Sequence, residues 1–462
     1  MKKSALTIAL LSSLALGAYA DSQTFYGGAT SGARSLVSGT TIATDVTLDS
    51  IDGRHYKADG ITVHTLNFIN GDVSIANTQG WKAEKGITID INSDAESVDA
   101  LTGSGRWQQN LFSLTFANTG GGAKANVNVG VFEFTANAAS GQNTFVNFNT
   151  DTVVTTTSTS SFGVNSKTSA APNRMYFNVA SGKSVEWNGN INVQSSAVMN
   201  IAGTFTHKGA MSFSGDEIST LNITGELIFD YTLGQTINTS FNLGGRISQT
   251  SASGDNGITL NRTSTINAGG YLQAHSKLVL NTNSSLTVES GGTVELSKDS
   301  SNVARVLLSN GSTLTLNSAN CIITSGSAES AKLATFAGAN ASLYVNADQT
   351  FSTLYSNAGI FSVYLGDGAT ITMESPTGTL AGSGTYRIFN FQEDSFFVGT
   401  NASVKSYIET NVTLYDGEEQ LLGAATVSDL GFIALAAIPE PATWAAILGC
   451  VALGFAAYRR RK

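Results

Sequence analysis

Charged residues are scarce in this chain. Asp, Glu, Lys and Arg make up 13% of its 462 residues, against about 25% in an average globular protein. A solvated helix face needs charged residues at periodic positions, so the composition excludes long helical domains. The chain has only 4 Pro and no strict Gly-X-Y period among its 48 Gly, which excludes a collagen helix.

The interior of the sequence also lacks a basic stripe. The formal net charge is -9, and Lys and Arg cluster only at the two ends, so no surface is expected that would displace phosphate counterions. We therefore expect no nucleic-acid partner.

Cysteine and histidine are rare as well. Cys450 lies in an apolar terminal stretch and Cys321 is predicted to be a small buried side chain, so no disulfide is expected. The four histidines show no metal-ligand spacing, which favours surface or strand-edge roles and predicts no metal and no cofactor. They are His55, His64, His207 and His275.

The first twenty residues have the three parts of a secretory signal. Lys2 and Lys3 precede an apolar run, and Ala18 and Ala20 frame a small-residue cleavage site. The sequence therefore predicts a signal peptide over 1–20, export through the Sec machinery and cleavage by signal peptidase after Ala20.

The last twenty-six residues, 437–462, predict a membrane segment. Residues 442–458 are apolar and uncharged, and Arg459, Arg460, Arg461 and Lys462 follow at once. Seventeen helical residues cover about 25 Å, slightly less than a bilayer core. The positive-inside rule places the arginines in the cytoplasm and the preceding chain outside.

Pro439, Glu440 and Pro441 stand immediately before this apolar segment. The order Pro-Glu-Pro, short apolar span and arginine cluster resembles the PEP-CTERM sorting signal. The resemblance covers about 25 residues and implies an exosortase, a membrane cysteine protease that removes the tail and passes the protein to the cell surface or extracellular matrix. The residues implied in processing are Pro439, Glu440, Pro441, Arg459, Arg460 and Arg461.

The body, 21–436, alternates apolar residues with Thr, Ser and Asn between Gly-rich turns, which predicts short strands. An apolar-Thr-apolar tripeptide recurs at Ile258, Leu286, Leu314, Leu343 and Ile371, with Tyr in place of Thr at Leu343, in steps of about 28 residues. We predict an all-β, right-handed parallel β-helix in which Leu286, Leu314, Leu343 and Ile371 form one inward column. Residues 140–250 follow the period poorly and predict a break, bulge or inserted hairpin.

Two Gly-rich corners carry a second resemblance. Asn267-Ala268-Gly269-Gly270 and Ser290-Gly291-Gly292 end short strands and resemble the passenger repeats of autotransporters. The chain ends in the sorting tail and not in a translocator, so self-translocation is not predicted.

The sequence leaves two functions open. The first is a non-enzymatic, adhesin-like surface or matrix protein whose rows of Thr, Asn and Ser bind glycans or matrix polysaccharide. The alternative is a β-helical polysaccharide lyase or hydrolase with the same tail. Its best site is a dense ionisable stretch near the N-terminus, although a polar cap over the first coil explains that stretch better. The stretch comprises Asp45, Asp49, Asp52, Arg54, His55, Lys57, Asp59 and His64.

Overall fold

The body folds into stacked coils of short parallel strands, as described by a computed structural model. The structure describes seven strands between residues 23 and 90, and then 91–436 apart from ten short segments. Those segments are 92, 110–111, 137–142, 165–172, 214–218, 298–303, 326–331, 336–338, 358 and 375–379. In the tail it describes only Val451, Leu453 and Arg459, which are helical and exposed.

The strands follow one another closely along the chain. The first thirteen are β1 (Gln23–Gly27), β2 (Thr41–Ile42), β3 (Val46–Ser50), β4 (Thr65–Ile69), β5 (Val73–Ile75), β6 (Trp81–Ala83), β7 (Gly86–Asp90), β8 (Ser97–Gln109), β9 (Phe112–Ala117), β10 (Lys124–Ala136), β11 (Thr144–Phe148), β12 (Thr152–Thr156) and β13 (Ser160–Val164). The next eighteen are β14 (Met175–Val179), β15 (Ser184–Asn188), β16 (Ile191–Val193), β17 (Ala197–Ile201), β18 (Thr204–His207), β19 (Met211–Phe213), β20 (Thr220–Ile223), β21 (Glu226–Phe229), β22 (Gln235–Ile237), β23 (Ser240–Leu243), β24 (Arg246–Gln249), β25 (Ile258–Leu260), β26 (Ser264–Ile266), β27 (Tyr271–His275), β28 (Lys277–Leu280), β29 (Ser285–Val288), β30 (Thr293–Ser297) and β31 (Arg305–Leu308). The remainder are β32 (Thr313–Leu316), β33 (Ile322–Ser325), β34 (Lys332–Thr335), β35 (Ala339–Val345), β36 (Gln349–Phe351), β37 (Thr353–Ser356), β38 (Gly359–Leu365), β39 (Ile371–Met373), β40 (Leu380–Gly382), β41 (Thr385–Phe389), β42 (Phe396–Phe397), helix α1 (Ala402–Asn411), β43 (Val412–Tyr415), β44 (Leu421–Val427) and β45 (Ile433–Leu435).

Each coil contributes one strand to each of three parallel sheets. From β14 onward, sheet 1 begins with β14, β17 and β20, sheet 2 with β15, β18 and β21, and sheet 3 with β16, β19 and β22. Upstream, the long strands β8 and β10 run through both sheet 2 and sheet 3 and join their hydrogen bonding. The all-β, solenoid-like class predicted from the sequence is confirmed.

Alternation along each strand places the core inside the coils. In β14, Met175, Phe177 and Val179 are buried, whereas Tyr176 and Asn178 face outward. Because parallel strands stack in register, the inward residues of successive coils form continuous apolar columns. The largest buried side chains are Trp107, Trp187 and Tyr386, with a group of phenylalanines from Phe116 to Phe213.

The coils differ in length, which corrects the predicted 28-residue period. Paired residues on sheet 1 are 22 residues apart at Met175 and Ala197 and 20 apart at Thr220 and Ser240, but 32 apart at Phe112 and Thr144. The region 140–250 therefore contains no break among its described residues. It follows the period poorly because its later coils are shorter.

The predicted inward column is confirmed in part. Leu286, Leu314 and Leu343 pair in register on sheet 1 and are fully buried. Ile258 and Ile371 are also buried, but Ile258 lies in β25 on sheet 3, and Ile371 lies in β39, which pairs with β36 and β42 and not with sheet 1. Any strand with one buried face satisfies the same alternation, so the tripeptide does not identify the sheet to which a strand belongs.

The last coil ends in a different arrangement. Helix α1, capped by the Asn401 side chain, precedes β43, and β43, β44 and β45 pair antiparallel. No helix among the described residues is long and apolar enough to cross a membrane. The span predicted at 442–458 lies outside those residues, Val451 and Leu453 excepted.

Candidate functional site

Charged and polar side chains line the outer surface of sheet 2. Arg246 there lies 3.5 Å from Glu226 and donates to Gln273 at 2.9 Å. Gln273 donates in turn to Glu295 at 3.3 Å, and the Arg246 guanidinium lies 4.7 Å from the centre of the Tyr271 ring. Since register stacking aligns outward residues of successive coils, these side chains form a polar row along the solenoid.

Glycine occupies one corner of five successive coils, where sheet 1 turns into sheet 2. The positions are Gly203, Gly225, Gly245, Gly270 and Gly292, each immediately before a sheet 2 strand. A Cβ on Gly225 would lie 2.0 Å from the Gly203 carbonyl oxygen, and one on Gly245 would lie 2.0 Å from that of Gly225. The corner is too tight for any side chain at these two positions.

The length of this corner changes along the solenoid. It has four residues at 180–183, two residues at 202–203, 224–225 and 244–245, and four again at 267–270. A groove of about 490 Å³ lies where the corner shortens, beside the first two of the short corners. Its lining residues are Asp151, Gly182, Lys183, Ser184, Ala202, Gly203, Thr204, Gly225 and Glu226.

Two carboxylates in the groove already hold structural partners. Asp151 accepts hydrogen bonds from the backbone N–H and the hydroxyl of Ser184, at 2.7 and 3.0 Å. Glu226 accepts from the Ser248 hydroxyl at 3.1 Å, besides its contact with Arg246. In both cases a single carboxylate oxygen makes these contacts, so each carboxylate keeps a second oxygen for a ligand.

Lys183 and Thr204 supply the donors of the groove. Neither side chain has a hydrogen-bond or ion-pair partner among the described residues. The groove therefore presents an ammonium, a hydroxyl and two carboxylates around a glycine floor. Sequence reasoning missed this site, and the signal that marks it is the fall in corner length from four residues to two.

A second ionic cluster lies on the edge of sheet 3. Asp255 accepts two hydrogen bonds from Arg305, at 2.7 and 2.9 Å, and one from Lys277 at 3.0 Å. Burial alone would raise the pKa of Asp255, but the Lys277 hydrogen bond and the two positive charges together lower it. The carboxylate ties its own coil to the next two coils and is fully engaged in doing so.

Asparagine side chains form ladders across the coils. On the outer surface of sheet 1, the amides of Asn178, Asn200, Asn222 and Asn242 each donate to the residue one coil earlier, at 2.8 to 3.2 Å, starting from Asn147. Another ladder joins Asn346, Asn317 and Glu289, all at the corner after sheet 1. Glu289, Asn317 and Asn346 therefore occupy equivalent corners of three successive coils.

The processing residues predicted from the sequence lie outside the described residues. This holds for Ala18, Ala20, Pro439, Glu440, Pro441, Arg460 and Arg461, whereas Arg459 is described only as helical and exposed. Of the ionisable stretch from Asp45 to His64, the structure describes only the backbone of Asp49 in β3.

The expected surface role of the histidines is wrong for His207. Its ring is fully buried within the coils, and Nε2 lies 2.9 Å from the Gly189 carbonyl oxygen. Burial lowers the pKa of His207 to about 4. Cys321 is buried as expected, and burial raises the pKa of its thiol to about 12. Within the described ranges, no three His, Cys, Asp or Glu side chains meet in a group that could hold a metal.

Comparisons with protein-family models, with curated proteins and with solved structures found no match.

Proposed function

We propose that this chain is an exported, non-enzymatic surface or matrix protein. Its body is a right-handed parallel β-helix that acts as a stalk, and its tail directs sorting by an exosortase-type protease. Sec and signal peptidase act on residues 1–20, and the apolar segment holds the protein in the inner membrane until the tail is removed. Final residence is the cell surface or extracellular matrix.

The tail carries the sorting part of this proposal. Pro439, Glu440 and Pro441 place an extended, proline-flanked carboxylate directly before the apolar segment. A protease that binds its substrate as an extended strand can reach such a segment at the membrane surface. The tetrabasic terminus fixes the orientation of the span.

The polar rows support the structural role. Along sheet 2 and the asparagine ladder, ionisable and amide groups bind one another from coil to coil. Groups engaged in this way stiffen the stalk and are poorly placed to move protons in a reaction. The groove beside Lys183 is the observation that favours the second candidate, a carbohydrate-active enzyme.

The proposal is tested on the native envelope by mass spectrometry. We expect no peptide from residues 442–462 in the mature protein. Glu440→Gln should leave the uncut form in the inner membrane, while Glu419→Gln, in an exposed turn of the body, should be processed normally. Recovery of the intact tail from the mature wild-type protein would refute the sorting role.

A further inference from the structure

We propose that the glycine-floored groove between sheets 1 and 2 binds a neutral glycan strand that runs along the solenoid. This goes beyond the proposed function, because the site lies in the body and its binding does not depend on how the tail is processed.

The floor of the groove admits close approach. Gly203 and Gly225 present bare backbone, and Ala202 adds only a methyl group. Successive coils are spaced by about 4.8 Å, close to the length of one sugar unit in an extended, equatorially linked chain. A strand laid along the corner would therefore place successive units over successive coils.

The groups on the walls match sugar hydroxyls. The second oxygens of Asp151 and Glu226 accept hydrogen bonds, and the Lys183 ammonium donates. The Thr204 hydroxyl, without a partner among the described residues, can do both. Hydroxyl groups are donors and acceptors at once, so a polyol satisfies this mixed set.

The charge of the groove selects against acidic glycans. Two carboxylates and one ammonium line the groove, Arg246 offsets the charge of Glu226 across 3.5 Å, and the chain as a whole carries -9, so the groove offers no excess positive charge to a polyanion. A polyuronate would bring further negative charge and be repelled. A neutral chain carries no such penalty.

The test uses the full chain and two hexasaccharides, neutral cellohexaose and acidic hexagalacturonate, in calorimetric titrations. We expect cellohexaose to bind and hexagalacturonate to bind at least about tenfold more weakly. Ala202→Trp fills the groove from an exposed corner position and should abolish binding. Ala268→Trp, an exposed alanine at the same corner three coils on, should not.

A second, milder pair of variants tests the polar side chains that line the groove. Thr204→Val removes a groove hydroxyl and should weaken cellohexaose binding by about threefold to tenfold. Thr293 belongs to the same outward-facing row of sheet 2 as Thr204 but does not line the groove. Thr293→Val should therefore leave cellohexaose binding unchanged. Thermal melts check that all four variants fold. Absence of cellohexaose binding to the wild type, preference for hexagalacturonate, or equal effects of each variant and its control would overturn the proposal.

Discussion

At the scale of single residues, His207 is the most informative side chain. It lies in register between Trp187 and Phe229, so the solenoid holds an imidazole where the neighbouring coils hold an indole and a phenyl ring. Its ring makes a hydrogen bond to the Gly189 carbonyl, but Nδ1 has no partner among the described residues. A proton added at Nδ1 would thus be a buried charge without compensation.

This predicts a loss of stability in mild acid. The folded pKa of His207, about 4, is below the unfolded value of 6.5, so the unfolded chain binds more protons between these pH values. The free energy of unfolding should fall by roughly 3 kcal/mol as the pH drops from 6.5 to 4 because of this residue. Denaturant titrations of wild type and His207→Phe across this range measure the difference. Phe205→Leu, a nearby core change without a titratable group, should keep the wild-type slope, and an unaltered slope in His207→Phe would contradict the assignment.

At the scale of elements, the shape of the solenoid is set by its corners. From β14 onward the strands have two to seven residues and mostly alternate inward and outward, whereas the corners vary from one residue at Ser276 to eight between β24 and β25. In the glycine corner before sheet 2, the backbone of one coil rests on the carbonyl of the coil before it.

Substitution of this glycine should therefore be costly. Gly225→Ala places a Cβ 2.0 Å from the Gly203 oxygen, which also accepts the hydrogen bond from the Glu226 N–H at 2.8 Å. The coils would have to separate locally, and we expect a loss of about 2–4 kcal/mol in unfolding free energy. Gly122→Ala, with no atom within 4 Å of the new Cβ, serves as the control. Equal melting temperatures for the two variants would refute the close stacking.

The same distinction between strands and corners explains what could be read from the sequence. Alternation at Leu286, Leu314 and Leu343 predicted both the strands and their stacking, because burial on one face imposes it directly. The sheet to which Ile371 belongs depends on how many residues each corner uses, and hydrophobic alternation does not encode that number. The groove escaped prediction for the same reason, since it is made of short corners and glycine backbone.

At the scale of the whole molecule, scaffold and enzyme make opposite predictions about turnover. Several described carboxylates of the body are paired with cations, hydroxyls or amides, as at Asp255 and Asp151. We expect the full chain to release no reducing ends and no unsaturated products from polysaccharides, with or without Ca²⁺. Cleavage that disappears on replacing Asp52, Arg54 or His55 would establish the enzyme instead, and cleavage lost on replacing Asp151 would assign it to the groove.

The register of the coils also bears on how the chain acquires its structure. Each parallel pair on sheet 1 from Thr41 to Leu414 joins residues between 20 and 32 positions apart. None of these described pairs requires a residue from a distant part of the chain. The entropic cost of closing the loop therefore stays small as each coil forms. A polypeptide that emerges from a translocon amino terminus first can add one coil at a time to those already formed. For a chain exported as proposed, folding would proceed in the direction of secretion, and each completed coil would oppose backward sliding through the channel.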